Sequence, residues 1–177
     1  MDTSIALHLA GILTSLTVFF LVLKNASGNV LASPAFERVC SGSNTGPALL
    51  VISQDRGCQE RMKNLAEFYG WDLLLCPTCK SAAALPESAS IPIVVCDTDR
   101  LDMNWRDAFQ LFLNADRSRC VVLCTQSDDN RLWQEVIRFG GYDLIRKPIH
   151  EEQIVRTIQF AWAFWKTVHV RFRGGAA

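Results

Sequence analysis

The chain has 177 residues, enough for one domain of ordinary size with extensions, and 49% of them are apolar, five being Trp. Lys plus Arg equal Asp plus Glu at 18 each, and this zero net charge gives no electrostatic case for nucleic-acid binding. Seven cysteines, an odd count with several inside apolar runs, read as buried thiols in a reducing compartment and not as a disulfide framework.

In chain order, Ile5 to Leu23 comes first, a run of 19 residues without a charge. As a helix it would extend ~28 Å, close to the ~30 Å hydrocarbon core of a bilayer. Residues 1–24 are therefore expected to form an apolar helix that anchors the chain in a membrane. A packed accessory helix and a cleaved signal peptide are the alternatives, the latter weakened because no basic residue precedes the run. Lys24 and Arg38 follow it, which predicts a cytoplasmic domain tethered to the inner membrane. Residues 25–47 are rich in Gly, Ser, Asn and Ala, contain Pro34 and Pro47, and read as a flexible linker.

From Ala48 to residue 168, strand-like and helix-like patterns alternate. Ala48–Ile52 is a short apolar run; Cys58, Met62, Leu65 and Tyr69 then recur at helical spacing, and Gly70 ends that helix. Trp71–Leu75 is a second strand, Lys80–Leu85 a short helix stopped by Pro86, and Ile91–Cys96 a third strand. Trp105–Leu113 is helical, with Trp105, Ala108, Phe109 and Phe112 on one side, and Val121–Cys124 is the fourth strand. Arg131–Phe139 is predicted helical with Leu132, Trp133, Val136 and Ile137 inward, closed by Gly140-Gly141, and Tyr142–Ile145 is the fifth strand. A last helix begins near Glu151, with Ile154, Ile158, Ala161, Trp162 and Trp165 as its buried stripe, and a basic tail occupies 169–177. Near-continuous apolar strands alternating with helices predict an α/β domain with a five-stranded parallel sheet covered on both faces.

Three chemically active residues stand at the ends of strand runs. Asp97 ends Ile91–Cys96, Thr125 ends Val121–Cys124, and Lys147-Pro148 follows Tyr142–Arg146. In an open parallel sheet the carboxyl ends of strands gather in one crevice, so an acidic nucleophile, a hydroxyl donor and a fixed cation surround one point. This order, the polar loop Asp97–Trp105 and the 22-residue interval from Thr125 to Lys147 resemble the receiver domain of bacterial two-component response regulators. The resemblance spans Ala48 to Trp165. It implies a flavodoxin-like (βα)5 fold with strand order 2-1-3-4-5. Asp97 would be the phosphoacceptor, Thr125 the switch hydroxyl and Lys147 the invariant cation, its bond to Pro148 typically cis. It also implies Mg²⁺, held here by Asp97 with Asp55, a histidine kinase or phosphotransfer protein as phosphoryl donor, and a downstream protein partner.

The sequence departs from that pattern. The acidic pair after the first strand falls on Ser53 and Gln54, the small residue after the switch hydroxyl is Gln126, and the aromatic before the Lys is Leu144. With 29 residues after Pro148, mostly one helix, the expectation is a stand-alone, non-enzymatic receiver. It would accept a phosphoryl group on Asp97 or act as a phosphorylation-independent, protein-binding pseudo-receiver. Two readings compete. Cys76-Pro77-Thr78-Cys79, a CxxC between strand and helix, is the arrangement of a thiol-disulfide oxidoreductase. A membrane-tethered scaffold would keep the fold without its chemistry. Of Trp162, Phe164 and Trp165, a candidate docking cluster, the two tryptophans are assigned to the core and only Phe164 to the surface.

Overall fold

Five short runs of Leu, Ile, Val and Cys lie side by side as parallel strands in the computed structural model, which describes residues 36–40, 46–85, 91–115 and 117–174. They are β2 (Ala48–Ile52), β3 (Asp72–Cys76), β4 (Ile93–Asp97), β5 (Cys120–Thr125) and β6 (Asp143–Arg146). β1 (Glu37–Cys40) precedes them. The helices are α1 (Arg56–Tyr69), α2 (Cys79–Ala83), α3 (Trp105–Ala115), α4 (Leu132–Arg138) and α5 (Glu151–Gly174). The sheet order is β1-β3-β2-β4-β5-β6, so the five parallel strands take the expected order.

Successive side chains on a strand point to opposite faces, and here both faces are buried. Leu49, Val51, Ile93, Val95 and Val122 pack with Met62 and Leu65 of α1 and Ile154, Ile158 and Ala161 of α5. Leu50, Ile52, Val94, Cys96, Val121 and Leu123 pack with Cys79 of α2, Phe109 and Phe112 of α3 and Val136 of α4 on the other side. A uniform apolar run is what a strand needs when helices cover it twice.

The sheet has a sixth strand that the sequence reading assigned to the linker. β1 pairs antiparallel with β3, from Glu37 opposite Leu75 to Cys40 opposite Asp72. Its four residues carry two charges and no clear alternation, and its partner strand is remote in sequence. The Arg38 guanidinium clamps Asp72 (Nε–Oδ1 3.2 Å, Nη2–Oδ2 2.6 Å), and Lys63 on α1 pairs with Glu37 at 2.8 Å. The inward assignment for α4 is also corrected. Trp133 and Ile137 are 49% and 39% exposed, and Val136 alone is buried, because this helix of only about two turns lies over the sheet margin. On α5, Trp162 and Trp165 are half-buried and stack on each other at 5.1 Å, while Phe160 joins Phe164 at the surface. α5 continues through 169–174, which the sequence reading placed in the tail.

Gly70 closes α1 in the left-handed region (φ 71°), with its N–H donating to the Ala66 carbonyl. Gly70→Ala is expected to lower stability by about 1 kcal/mol, the cost of a Cβ in that conformation. The check is a reduced urea midpoint at unchanged slope.

The apolar run 5–23 lies outside the described residues. Among the described residues, no helix is long and apolar enough to cross a membrane.

Candidate functional site

β4 delivers Asp97 and β5 delivers Thr125 at adjacent carboxyl ends, and the chain leaving β6 delivers Lys147. The Lys147 N–H donates to the Thr125 carbonyl at 2.8 Å, which fixes the base of its side chain beside β5, and the Lys147–Pro148 peptide is cis. Asp97 is 1% exposed and Thr125 3% exposed. A carboxylate so deeply placed needs its charge and lone pairs satisfied.

Both Asp97 oxygens have donors. The Lys147 ammonium contacts Oδ1 at 2.5 Å, and the Asp99 N–H reaches the same oxygen at 3.3 Å. The Ser53 hydroxyl donates to Oδ2 at 2.7 Å and in turn accepts from the Asp55 N–H at 3.0 Å. Ser53, itself buried, therefore binds the carboxylate at the position where the resemblance implied an acidic residue.

Thr125 does not meet Asp97 directly. Its hydroxyl donates to Asp99 Oδ1 at 3.3 Å, and the Gln126 N–H donates to both Asp99 oxygens at 3.0 and 3.2 Å. Lys147 Nζ completes this set at 3.0 Å from Asp99 Oδ2. One ammonium thus serves two carboxylates. Burial opposes ionisation of Asp99, but the Gln126 N–H, the Lys147 ammonium and the Thr125 hydroxyl outweigh it and hold its carboxyl below the ordinary value. Burial likewise disfavours the Lys147 ammonium, yet its bonds to Asp97 and Asp99 raise its pKa above normal.

The three expected residues converge, and sequence reasoning missed Ser53, Asp99 and the Gln126 N–H as working parts. The Asp97-Thr98-Asp99 spacing was the available signal. A single turn of 3-10 helix over Thr98–Arg100 folds Asp99 back over the strand ends. Asp55 takes a different part from the one expected. It is the N-cap of α1, where its Oδ1 accepts from the Gly57 N–H at 2.9 Å. It also lines an open cavity of about 560 Å³ together with Arg61, Gln126, Lys147 and Ile149.

Toward Mg²⁺, which takes one or two carboxylates and keeps several waters, the Asp97 oxygens already carry an ammonium and a hydroxyl, and Asp55 gives Oδ1 to the cap of α1. Among the described residues, no group of three His, Cys, Asp or Glu side chains is placed to hold a metal.

The CxxC reading is corrected by burial. Cys76 and Cys79 are both fully buried, and desolvation pushes their thiols up to about 11 and about 12, against the lowered value of a redox thiolate. Asp102 occupies the start of α2, accepting from the Cys79 N–H at 2.7 Å, so the helix end meets a carboxylate and no thiolate. In folded protein, both thiols are expected to escape iodoacetamide and to label only on unfolding, as read by peptide mass mapping.

A parallel sheet in this strand order, covered by helices on both faces, is a flavodoxin-like α/β fold, and Asp97, Thr125 and Lys147 stand at one lip of it. Solved structures agree. A CheY-like response regulator receiver domain protein from Methanospirillum hungatei JF-1 superposes with a TM-score of 0.63 at 15% identity, covering 70% of this chain and 98% of that one. A response regulator receiver domain protein from Clostridium thermocellum gives 0.63 at 19%, covering 69% and 98%. A structure of adenylate cyclase from Rhodopirellula baltica gives 0.65 at 14%, covering 72% and 96%. The described domain has the fold of response-regulator receivers. No family model and no curated relative matches the sequence.

Proposed function

We propose that the chain is a receiver-type signalling domain that acts by binding a protein partner and carries no phosphoryl group on Asp97. The observation that supports this most is the double occupation of the Asp97 carboxylate by Lys147 and Ser53 at 1% exposure. In-line attack on a phosphoryl donor requires an oxygen lone pair facing that donor and a metal to neutralise the incoming charge. In this donor set the ammonium and an amide hold Oδ1 and a buried hydroxyl holds Oδ2, which works against both. The fold alone decides nothing about chemistry, since one sheet architecture hosts many functions.

A surface for a partner is at hand. Trp133, Ile137 and Phe139 are exposed on and just after α4, as are Phe160 and Phe164 on α5. Asp143 of β6 ties the two helices together by accepting from the Trp133 indole N–H at 3.3 Å and the Thr157 hydroxyl at 3.1 Å. Aromatic side chains of this kind are enriched at the cores of protein interfaces. A histidine kinase, a phosphotransfer protein or a downstream effector would meet the domain here.

The test is incubation with acetyl phosphate and Mg²⁺, followed by intact mass measurement of wild type and Asp97→Asn. No phosphoryl adduct is expected in either. A wild-type adduct that disappears in Asp97→Asn would overturn the reading.

A further inference from the structure

An ammonium, a hydroxyl and a backbone N–H that converge on one point make a binding site for an oxyanion. In this molecule they converge on a side chain of the same chain. The Asp99 carboxylate receives Lys147 Nζ at 3.0 Å, the Thr125 hydroxyl at 3.3 Å, and the Gln126 N–H at 3.0 and 3.2 Å. The hydroxyl is oriented for this purpose. Thr125 Oγ1 accepts from the Ser127 N–H at 3.1 Å, which leaves its own proton to point at Asp99. Asp99 is itself fixed at the backbone, its N–H donating to Asp97 Oδ1.

We infer that Asp99 is a built-in occupant of an oxyanion site: its carboxylate takes the donors that a phosphate group would take and keeps such groups out. This rests on the proposed phosphorylation-independent function and supplies its cause. Two carboxylates share one ammonium, so the site with Asp99 ionised carries a net negative charge and repels a phosphate dianion. Removing the Asp99 charge leaves a neutral Lys147–Asp97 pair beside a free hydroxyl and a free amide. Those two groups, with the cation, are a usable receptor for a tetrahedral anion.

The experiment is titration of the full chain with inorganic phosphate, followed by ¹⁵N–¹H spectra of wild type, Asp99→Ala and Asp99→Asn. Wild type is expected to show no saturable shift at Gln126. Asp99→Ala is expected to bind at least about tenfold more tightly than wild type, the factor that one charge-assisted hydrogen bond commands. Adding Lys147→Met to Asp99→Ala should abolish that gain. Asp99→Asn keeps an acceptor for Gln126 and the local shape, so it reports the charge alone should the alanine variant unfold. Phosphate binding to wild type as tight as to the variants, or no saturable binding to either folded variant, would overturn the inference. In wild type itself, rapid hydrogen exchange at the Gln126 amide would also overturn it, because the bond to Asp99 would then not persist.

The failures of the two proposals are distinguishable. An Asp97 phosphoryl adduct in wild type removes the functional reading and, with it, the inference that rests on it. Absent phosphate binding in the Asp99 variants removes the occupant and leaves the functional reading in place.

Discussion

Lys147→Met is expected to destabilise the domain by about 3–5 kcal/mol, the usual cost of removing one partner from a buried ion pair. The cause is what it leaves behind. Asp97 at 1% exposure would keep only Ser53 and an amide, and Asp99 would lose its counter-charge as well. Replacing the carboxylate at the same time, as Lys147→Met with Asp97→Asn, should cost less than Lys147→Met alone, since no unpaired charge then remains at Asp97. Urea unfolding of the two single variants and the double variant closes the cycle. If the double variant were as unstable as the sum of the singles, the two groups would not be coupled.

The pH dependence has a definite sign. Asp99 has a lowered folded pKa, so its contribution is present above the ordinary aspartate range and is lost as pH falls through the folded value. Lys147 has a raised one, so its contribution is present below the ordinary lysine value and is lost as pH rises through the folded value. Between these limits the cluster stabilises fully. The gap between wild type and Lys147→Met is therefore expected to narrow on acidification, as wild type gives up the share due to Asp99.

Gly141→Ala should cost about 1–3 kcal/mol, the range for overpacking a filled core. A Cβ there would lie 2.5 Å from Val136 Cγ1, 2.6 Å from Phe109 Cε1 and 2.9 Å from the Val136 carbonyl oxygen. Phe109 is fully buried and cannot swing away, and its ring edge is held by Trp105 at 5.6 Å between centroids. Trimming the ring should restore part of the loss, so Gly141→Ala with Phe109→Leu is expected to be less than additive. Thermal unfolding of the three variants measures this. Equal melting temperatures for wild type and Gly141→Ala would show that the packing at this turn is loose.

The parallel strands and the first helix were legible because burial on known faces leaves a pattern in the chain. Cys58, Met62 and Leu65 lie inward as their spacing predicts, and β4 is buried throughout. Gly140-Gly141 was read as one helix stop, but the pair divides its work. Gly140 adopts φ 89°, whereas Gly141 is needed for close packing against α3 and α4, which no local pattern reveals. Asp97, Thr125 and Lys147 were legible from topology, since strand ends meet wherever a parallel sheet forms. Asp99 was not, because its part depends on how one short turn folds back. Nor was Asp102, which reaches across to the Cys79 N–H on an element 23 residues earlier. The CxxC motif was correctly placed between strand and helix, yet nothing in its spacing reported that Cys79 would be fully buried.

The antiparallel strand at Glu37–Cys40 bears on how this protein can be handled. Were the chain cut at Ala48, where the resemblance to receivers begins, the flank of β3 would be bare, and Asp72–Cys76 would offer unpaired amides and carbonyls beside three leucines. Such a flank templates strand addition from a second molecule, and self-association through it is the expected fate of the shortened chain. A soluble fragment should begin before Phe36.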